Sequence, residues 1–369
     1  MSEESPASGG FSGRGGRSLV LAEGRRFLLI FFLASFSLFL AIEAMPEDPV
    51  SLRVKNPDPE RIAEIREGLG LNDPWAIRYI RSVGDFLTLD WGESLITGRP
   101  VIEEVARFLP ATLEMAILGI VLGVALGISI TLVAHATGWR WLRQPARGLS
   151  ALGLTVPIFW IGILLVLLLS VQLGWFPVGG RYDFAYRAPD GSGFFLLDSL
   201  LARDPAAFGI ALEHLALPVF TLALYPAAVV AGTLEARLGE GFVERLVIAL
   251  KARGLSAPRI WGLHVLRLFS GPVVTVIGTQ AGALLGGAVL TETVYSWPGM
   301  GRFLVEGVLN RDLFVIQHGL LLIVVGALTV VSLADFLAAR LNRQLASPAD
   351  GGENEASFRD ENERRSEPE

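Results

Sequence analysis

The side chains able to do chemistry are few and far apart in this chain of 369 residues. It has no cysteine, which excludes thiolate nucleophiles, disulfides and sulfur metal sites. The four histidines, His135, His214, His264 and His318, show neither an HExxH pattern nor paired ligand spacing, so no metal site is expected. No serine stands in GxSxG, Ser270-Gly271 lacks the first glycine of an intramembrane GxSG, and no GxGD aspartate occurs. The only lysines, Lys55 and Lys251, do not follow a glycine, so the chain has no phosphate-cradling P-loop. No catalytic or cofactor-binding residue is expected, and if ATP drives the protein, another subunit hydrolyses it.

Three acids fall inside or beside apolar segments: Glu114, Glu213 and Asp335. An acid within a membrane is a functional candidate by default. Here Glu114 and Glu213 stand near segment ends, where an interfacial carboxylate is cheap, and Asp335 is placed to pair with Arg340 or a neighbouring helix. No chain of acids marks a proton relay. Gly299-Met300-Gly301 lies between two apolar segments rather than after a strand, so it reads as a turn and not a dinucleotide fingerprint.

The most informative stretch is Glu244–Arg267, ERLVIALKARGLSAPRIWGLHVLR. Its first part is helix-forming and basic, and Gly254 suits the left-handed position that ends a helix. Leu255-Ser256-Ala257-Pro258 then restarts one, with Ser256 as cap and Pro258 in the first turn. Helix, break and helix together offer a short rigid ledge to a partner. An amphipathic helix on anionic lipid would show the same composition.

The elements that must hold these residues are membrane helices. Hydrophobic residues make up 51% and charged ones 18%, against about a quarter charged in soluble domains. With a mean hydropathy of +0.50 and apolar runs that alternate with charged segments, the chain reads as an all-α polytopic membrane protein. Six spans are expected, near 27–45, 111–134, 149–173, 209–234, 271–294 and 316–339. The first run, Phe27–Ile42, also has the shape of a signal peptide, but no small-residue cleavage site follows it. The segment at 135–148 carries Arg140, Arg143 and Arg147 without an acid, and 235–270 is basic, whereas 43–110 and 174–208 carry more acids than bases. By the positive-inside rule both termini face the cytoplasm. Residues 1–24 and 346–369 read as disordered tails, the second acidic. Within 43–110, helical spacing covers Pro59–Gly70 and Pro74–Leu89. Trp75, Tyr79, Ile80, Val83, Phe86 and Leu87 form one stripe, suited to a membrane surface, a partner or a local core. A net charge of −6 gives no basic excess for nucleic acid.

These motifs together resemble the permease subunits of ATP-binding cassette (ABC) importers, in the dipeptide, oligopeptide and nickel class. Leu250-Lys251-Ala252-Arg253-Gly254-Leu255 and His264-Val265-Leu266-Arg267 match the family's loop in spacing. Met45-Pro46-Glu47-Asp48-Pro49, Leu69–Pro74, Asp90-Trp91-Gly92-Glu93-Ser94, Leu109–Glu114, Val156–Trp160 and Phe176–Arg181 are similar to its flanking motifs. The most specific match is Leu290–Gly301, LTETVYSWPGMG, with Asn310-Arg311-Asp312 after it. Coverage runs over about residues 25–345.

The resemblance implies a type I ABC importer permease fold in the cell (inner) membrane, working by alternating access, with peptides as the first expectation for cargo. It implies a second permease subunit, two cytoplasmic ATPase subunits that bind ATP and Mg²⁺, and an extracytoplasmic solute-binding protein. It assigns an ATPase-coupling loop at 235–270, carried by Ala249, Lys251, Ala252, Arg253, Gly254, Leu255 and His264. It assigns a gate and outer-loop motif to Glu292, Trp297, Pro298, Gly299, Gly301 and Asp312. The departures are Glu235 for an arginine, Leu246 for a tyrosine, Ile248 at the glutamate of the Glu-Ala-Ala loop, Val331 for an asparagine, and Asn342-Arg343 for an Asn/Asp-Pro-Arg ending. The rival class, an ion-coupled secondary transporter, would need broken inverted repeats and midplane ionisable groups.

Overall fold

The computed structural model describes residues 14–44, 59–68, 70–137, 148, 153, 155–183, 186, 191–239 and 241–346. Among them the chain is helical, with one isolated bridge between Glu93 and Pro100. In order the helices are α1 (Arg14–Glu43), α2 (Pro59–Gly68), α3 (Trp75–Thr88) and α4 (Val101–Ala136). Then come α5 (Ile158–Gln172, π-helical over Val166–Gln172), α6 (Phe195–Leu201), α7 (Pro205–Leu238) and α8 (Phe242–Ala252). The last are α9 (Ala257–Leu268, π-helical over Ile260–Val265), α10 (Ser270–Val294), α11 (Met300–Leu309) and α12 (Leu313–Ala346).

Local chemistry sets several of these boundaries. Asp204 caps α7, its carboxylate accepting the N–H groups of Ala206 and Ala207 at 3.0 Å, with Pro205 just inside. Glu103 and Glu104 stand in the first turn of α4, where negative charge meets the positive end of the helix dipole.

The centre of the bundle is α4 against α7. Gly119, Gly123 and Gly127 recur every fourth residue on α4 and bring the two backbones into contact. A Cβ added at Gly123 would stand 2.5 Å from the Ala223 carbonyl oxygen, and one at Gly127 would stand 2.7 Å from that of Ala227. Small residues at helical spacing allow this approach in membrane helices. The pair α10–α12 repeats the device: Gly278 faces Ala334, and a Cβ at Gly282 would lie 2.9 Å from Val331 Cγ2. Val331, where the related motif has asparagine, is thus part of an apolar helix contact.

Among the described residues, four helices are long and apolar enough to cross a membrane: Glu23–Glu43, Val101–Ala136, Pro205–Leu238 and Leu313–Leu341. A fifth crossing arises if α9 and the first part of α10, bent by 61°, act as one. Ile158–Gln172 is a shorter apolar helix, and part of the expected span 149–173 lies outside the described residues.

Several helix boundaries and faces differ in detail from the sequence pattern. Helix α1 already runs from Arg14, inside the stretch 1–24 read as a disordered tail. The rest of that tail, residues 347–369, Met45–Pro49 and the arginines at 140, 143 and 147 lie outside the described residues. The span expected from 111 belongs to a helix that starts at Val101 and continues through Pro110. The apolar stripe of α3 is divided: Tyr79, Val83 and Phe86 turn toward α1, whereas Ile80 and Leu87 are 70% and 67% exposed.

Candidate functional site

The basic loop folds as helix, break and helix, as its residues suggest. Val243, Val247 and Leu250 make one buried face of α8, packed with Leu132 of α4, Val230 and Leu234 of α7, and Ile260, Val265 and Phe269 beyond. Glu244 in the first turn and Lys251 in the last both favour the helix dipole. Gly254 has φ +80°. Its N–H reaches the Lys251 carbonyl at 2.9 Å and the Leu255 N–H reaches that of Leu250 at 3.2 Å, the paired bonds of a Schellman ending. An added Cβ at Gly254 would meet nothing within 4 Å, so conformation and not crowding within this chain requires the glycine.

Ala249, Lys251, Ala252, Arg253 and Gly254 are exposed together, while Leu255 and His264 are half-buried. Ser256 occupies the cap position of α9 in extended backbone, but its side chain makes no cap hydrogen bond. The π-turn that follows puts Ile260 and Val265, five residues apart, on one fully buried face. Of the departures, Leu246 packs on this cluster and Ile248 is 60% exposed. Glu235 lies 3.6 Å from His135 Nδ1, whose ring is 6.1 Å from that of Trp261. The ends of α4, α7 and α9 therefore meet at one polar contact behind the ledge.

The second motif closes around Glu292, which is wholly buried at the end of α10. Thr112 of α4 donates its hydroxyl to Glu292 Oε1 at 2.5 Å and accepts the Met300 N–H at 2.7 Å. The Arg302 N–H reaches Glu292 Oε2 at 2.8 Å. Both glycines serve the carboxylate: a Cβ at Gly299 would overlap it, and one at Gly301 would stand 2.8 Å from Val289 Cα. Trp297 is also fully buried and donates its indole N–H to the Ala111 carbonyl at 3.1 Å. Pro298 is half-buried between them. A buried carboxylate needs donors on both oxygens, and here α4 and α11 supply one each.

Phe176–Arg181 meets the same motif from the other side. The Gly180 N–H bonds to the Tyr295 carbonyl at 2.8 Å, and a Cβ at Gly179 would stand 2.5 Å from that oxygen. Arg181 lies over the Trp297 ring, at 5.8 Å from its centroid, and pairs with Glu114 at 2.6 Å. Glu114 also accepts the Leu196 N–H. Glu114 is thus a buried partner of Arg181. Asp335 pairs with Arg26 of α1 at 3.5 Å, a neighbouring helix and not Arg340.

Asp312 does not join Glu292. It is buried at the start of α12, where it accepts the Ser94 hydroxyl at 2.6 Å and the N–H groups of Ile96 and Val315 at 3.3 Å. It fastens the turn that follows Trp91-Gly92 to the bundle. Nearby, the near-parallel rings of Phe86, Trp91 and His318 stack at 5.6 and 6.0 Å. Sequence reasoning did not single out Thr112, Ser94 or Arg181 as site residues. Each stands in a quoted motif, but nothing in a lone threonine or arginine foretells a partner more than sixty residues away.

The family model for a binding-protein-dependent transport system inner membrane component matches residues 119–347, most of the chain. The chain belongs to that family. Its relatives include the di/tripeptide transport system permease protein DppB of Pseudomonas aeruginosa, 36% identical over 317 residues, 85% of this chain and 94% of that protein. The dipeptide permease DppB of Escherichia coli K12 is 34% identical over 312 residues, 83% of this chain and 92% of its own length. The probable D,D-dipeptide permease DdpB of the same organism is 37% identical over 276 residues, 74% and 81% of the two chains. This member of the binding-protein-dependent transport family is thus the permease subunit of an ABC importer and not an enzyme, in line with the motif resemblance.

Proposed function

We propose that this chain is one of two permease subunits of an ATP-driven importer of short peptides. The observation that carries this reading is the near end-to-end similarity to di- and tripeptide permeases, which extends well beyond the family domain. The fold is a six-span type I permease with both termini in the cytoplasm. Four long apolar helices, the bent pair α9–α10 and the short apolar α5 support that count. A second permease, two ATPase subunits and an extracytoplasmic binding protein complete the complex.

In this reading the exposed edge Ala249–Leu255, with His264 behind it, docks against an ATPase subunit. ATP and Mg²⁺ are bound by that partner. Its closure moves the ledge, and the spans rock between inward- and outward-open states. The Glu292 loop, with Trp297, Pro298, Gly299 and Gly301, ties α4 to α10 on the far side and sets how far the helices can part there. Asp312 anchors the outer turn. No bond in the cargo is broken by this chain.

Reconstitution in proteoliposomes with a second permease, ATPase subunits and a binding protein of the peptide-importer class tests the reading. Labelled dipeptide should accumulate only with ATP inside and binding protein outside. A complex that hydrolyses ATP in response to its binding protein but takes up no di- or tripeptide would overturn the assignment of cargo.

A further inference from the structure

We propose that α3 lies against the Phe32–Glu43 half of α1 within the bilayer, with Ile77, Ile80 and Leu87 in contact with lipid acyl chains. The inference rests on α1 crossing the membrane, and not on the number of spans or the identity of the cargo.

Helix α3 has three differently occupied sides. One packs on α1: the Tyr79 hydroxyl lies 2.9 Å from Ser35 Oγ and donates to the Phe32 carbonyl at 3.4 Å, and the Phe86 ring is 6.1 Å from that of Phe31. The second holds the charges, Arg78, Arg81 and Asp85. Arg78 pairs with Glu43 at 2.8 Å and Arg81 with Asp73 at 2.7 Å, around a cavity of about 80 Å³ shared with α12. The third carries Ile77, Ile80, Gly84 and Leu87, at three- and four-residue spacing and without a charge. Ile77, Ile80 and Leu87 are 49%, 70% and 67% exposed.

A contiguous bare apolar face of this kind marks a membrane or a partner. Its docking along α1 decides for lipid. On α1, an apolar helix long enough to span, Leu29, Phe32, Leu33 and Leu40 are bare, and a spanning helix presents such residues to acyl chains. Phe32 joins the two helices at this level, its carbonyl receiving Tyr79 while its side chain stays half-exposed. From Phe32 to Glu43 the axis rises about 16 Å, roughly half of a hydrocarbon core of about 30 Å. Acyl chains that wet Phe32 and Leu40 therefore stand at the level where α3 is docked.

Because the chain has no cysteine, a single nitroxide can be placed by Ile80→Cys or Leu87→Cys without background from this subunit. The labelled chain is assembled with cysteine-free partner subunits in phospholipid nanodiscs. Collision rates with oxygen, which concentrates in hydrocarbon, are compared with those of a water-soluble nickel chelate. Thr97→Cys on the exposed outer turn gives the water reference, and Leu29→Cys on α1 gives the lipid reference. At both α3 positions the balance should shift toward oxygen, to the Leu29 side of the scale. Nickel collisions matching those at Thr97 would show that the face is in water. An immobilised label shielded from both reagents would show that a protein subunit covers it. Either result overturns the proposal.

Discussion

Thr112 holds three things together with one hydroxyl: α4, the Glu292 carboxylate and the Met300 amide. Thr112→Val keeps the shape and removes the hydrogen-bonding group. It should cost about 1–3 kcal/mol, because a fully buried carboxylate and an amide both lose a partner. Thr112→Ser should retain most of the stability. Thermal melting of the assembled transporter checks the pair, and equal melting of the Val and Ser variants would reject the role assigned to the hydroxyl. At this scale the sequence was only partly legible. Gly254 could be placed in left-handed backbone from its type and position, and it has φ +80°. The same turn closes four other helices with Leu89, Arg203, Ser296 and Arg311, whose φ values run from 48° to 62°. A leucine or an arginine carries no signal for a conformation that disfavours it, so only the folded context reveals those endings.

Whole elements were more readable, because apolar runs and glycine spacing follow from the solvent in which a helix lies. What could not be read was partnership. The α3 stripe is continuous in sequence but divided between α1 and the exterior, and the π-turn in α9 shifts its buried positions from four-residue to five-residue spacing. Two substitutions with the same chemistry separate packing from propensity. Gly123→Ala should destabilise by about 1–3 kcal/mol, since its Cβ would press on the Ala223 carbonyl. Gly209→Ala in α7, with nothing within 4 Å, should be neutral or stabilise by up to about 1 kcal/mol. Opposite shifts in melting temperature are the expected result. For the ledge, Gly254→Val should cost on the order of 1–2 kcal/mol in backbone strain and misplace the exposed edge. Expression and membrane insertion should survive while uptake and transport-coupled ATP hydrolysis fall together. Normal uptake by a well-expressed variant would remove the coupling role and favour a lipid-binding loop.

For the molecule as a whole, the orientation in the membrane is the testable quantity. Reporter fusions near Gly138 and Gly351 should behave as cytoplasmic and one at Asn72 as external. An external signal at Gly351 would invalidate six spans with both ends inside. The long-range consequence lies in the glycine seam between α4 and α7. Backbones that touch at Gly123 and Gly127 cannot slide past one another by a fraction of a turn without side chains striking carbonyls, so the two helices must tilt as one beam. Leu132 near one end of that beam packs in the ledge cluster, and Thr112 near the other end holds Glu292. They are about 30 Å apart along the axis. With the ledge as fulcrum, a tilt of about 10° swings the far end through about 5 Å over that length. That is more than a hydrogen bond can stretch, so under the proposed alternating access a modest rotation at one surface would unfasten the Thr112–Glu292 contact at the other wherever α10 does not follow.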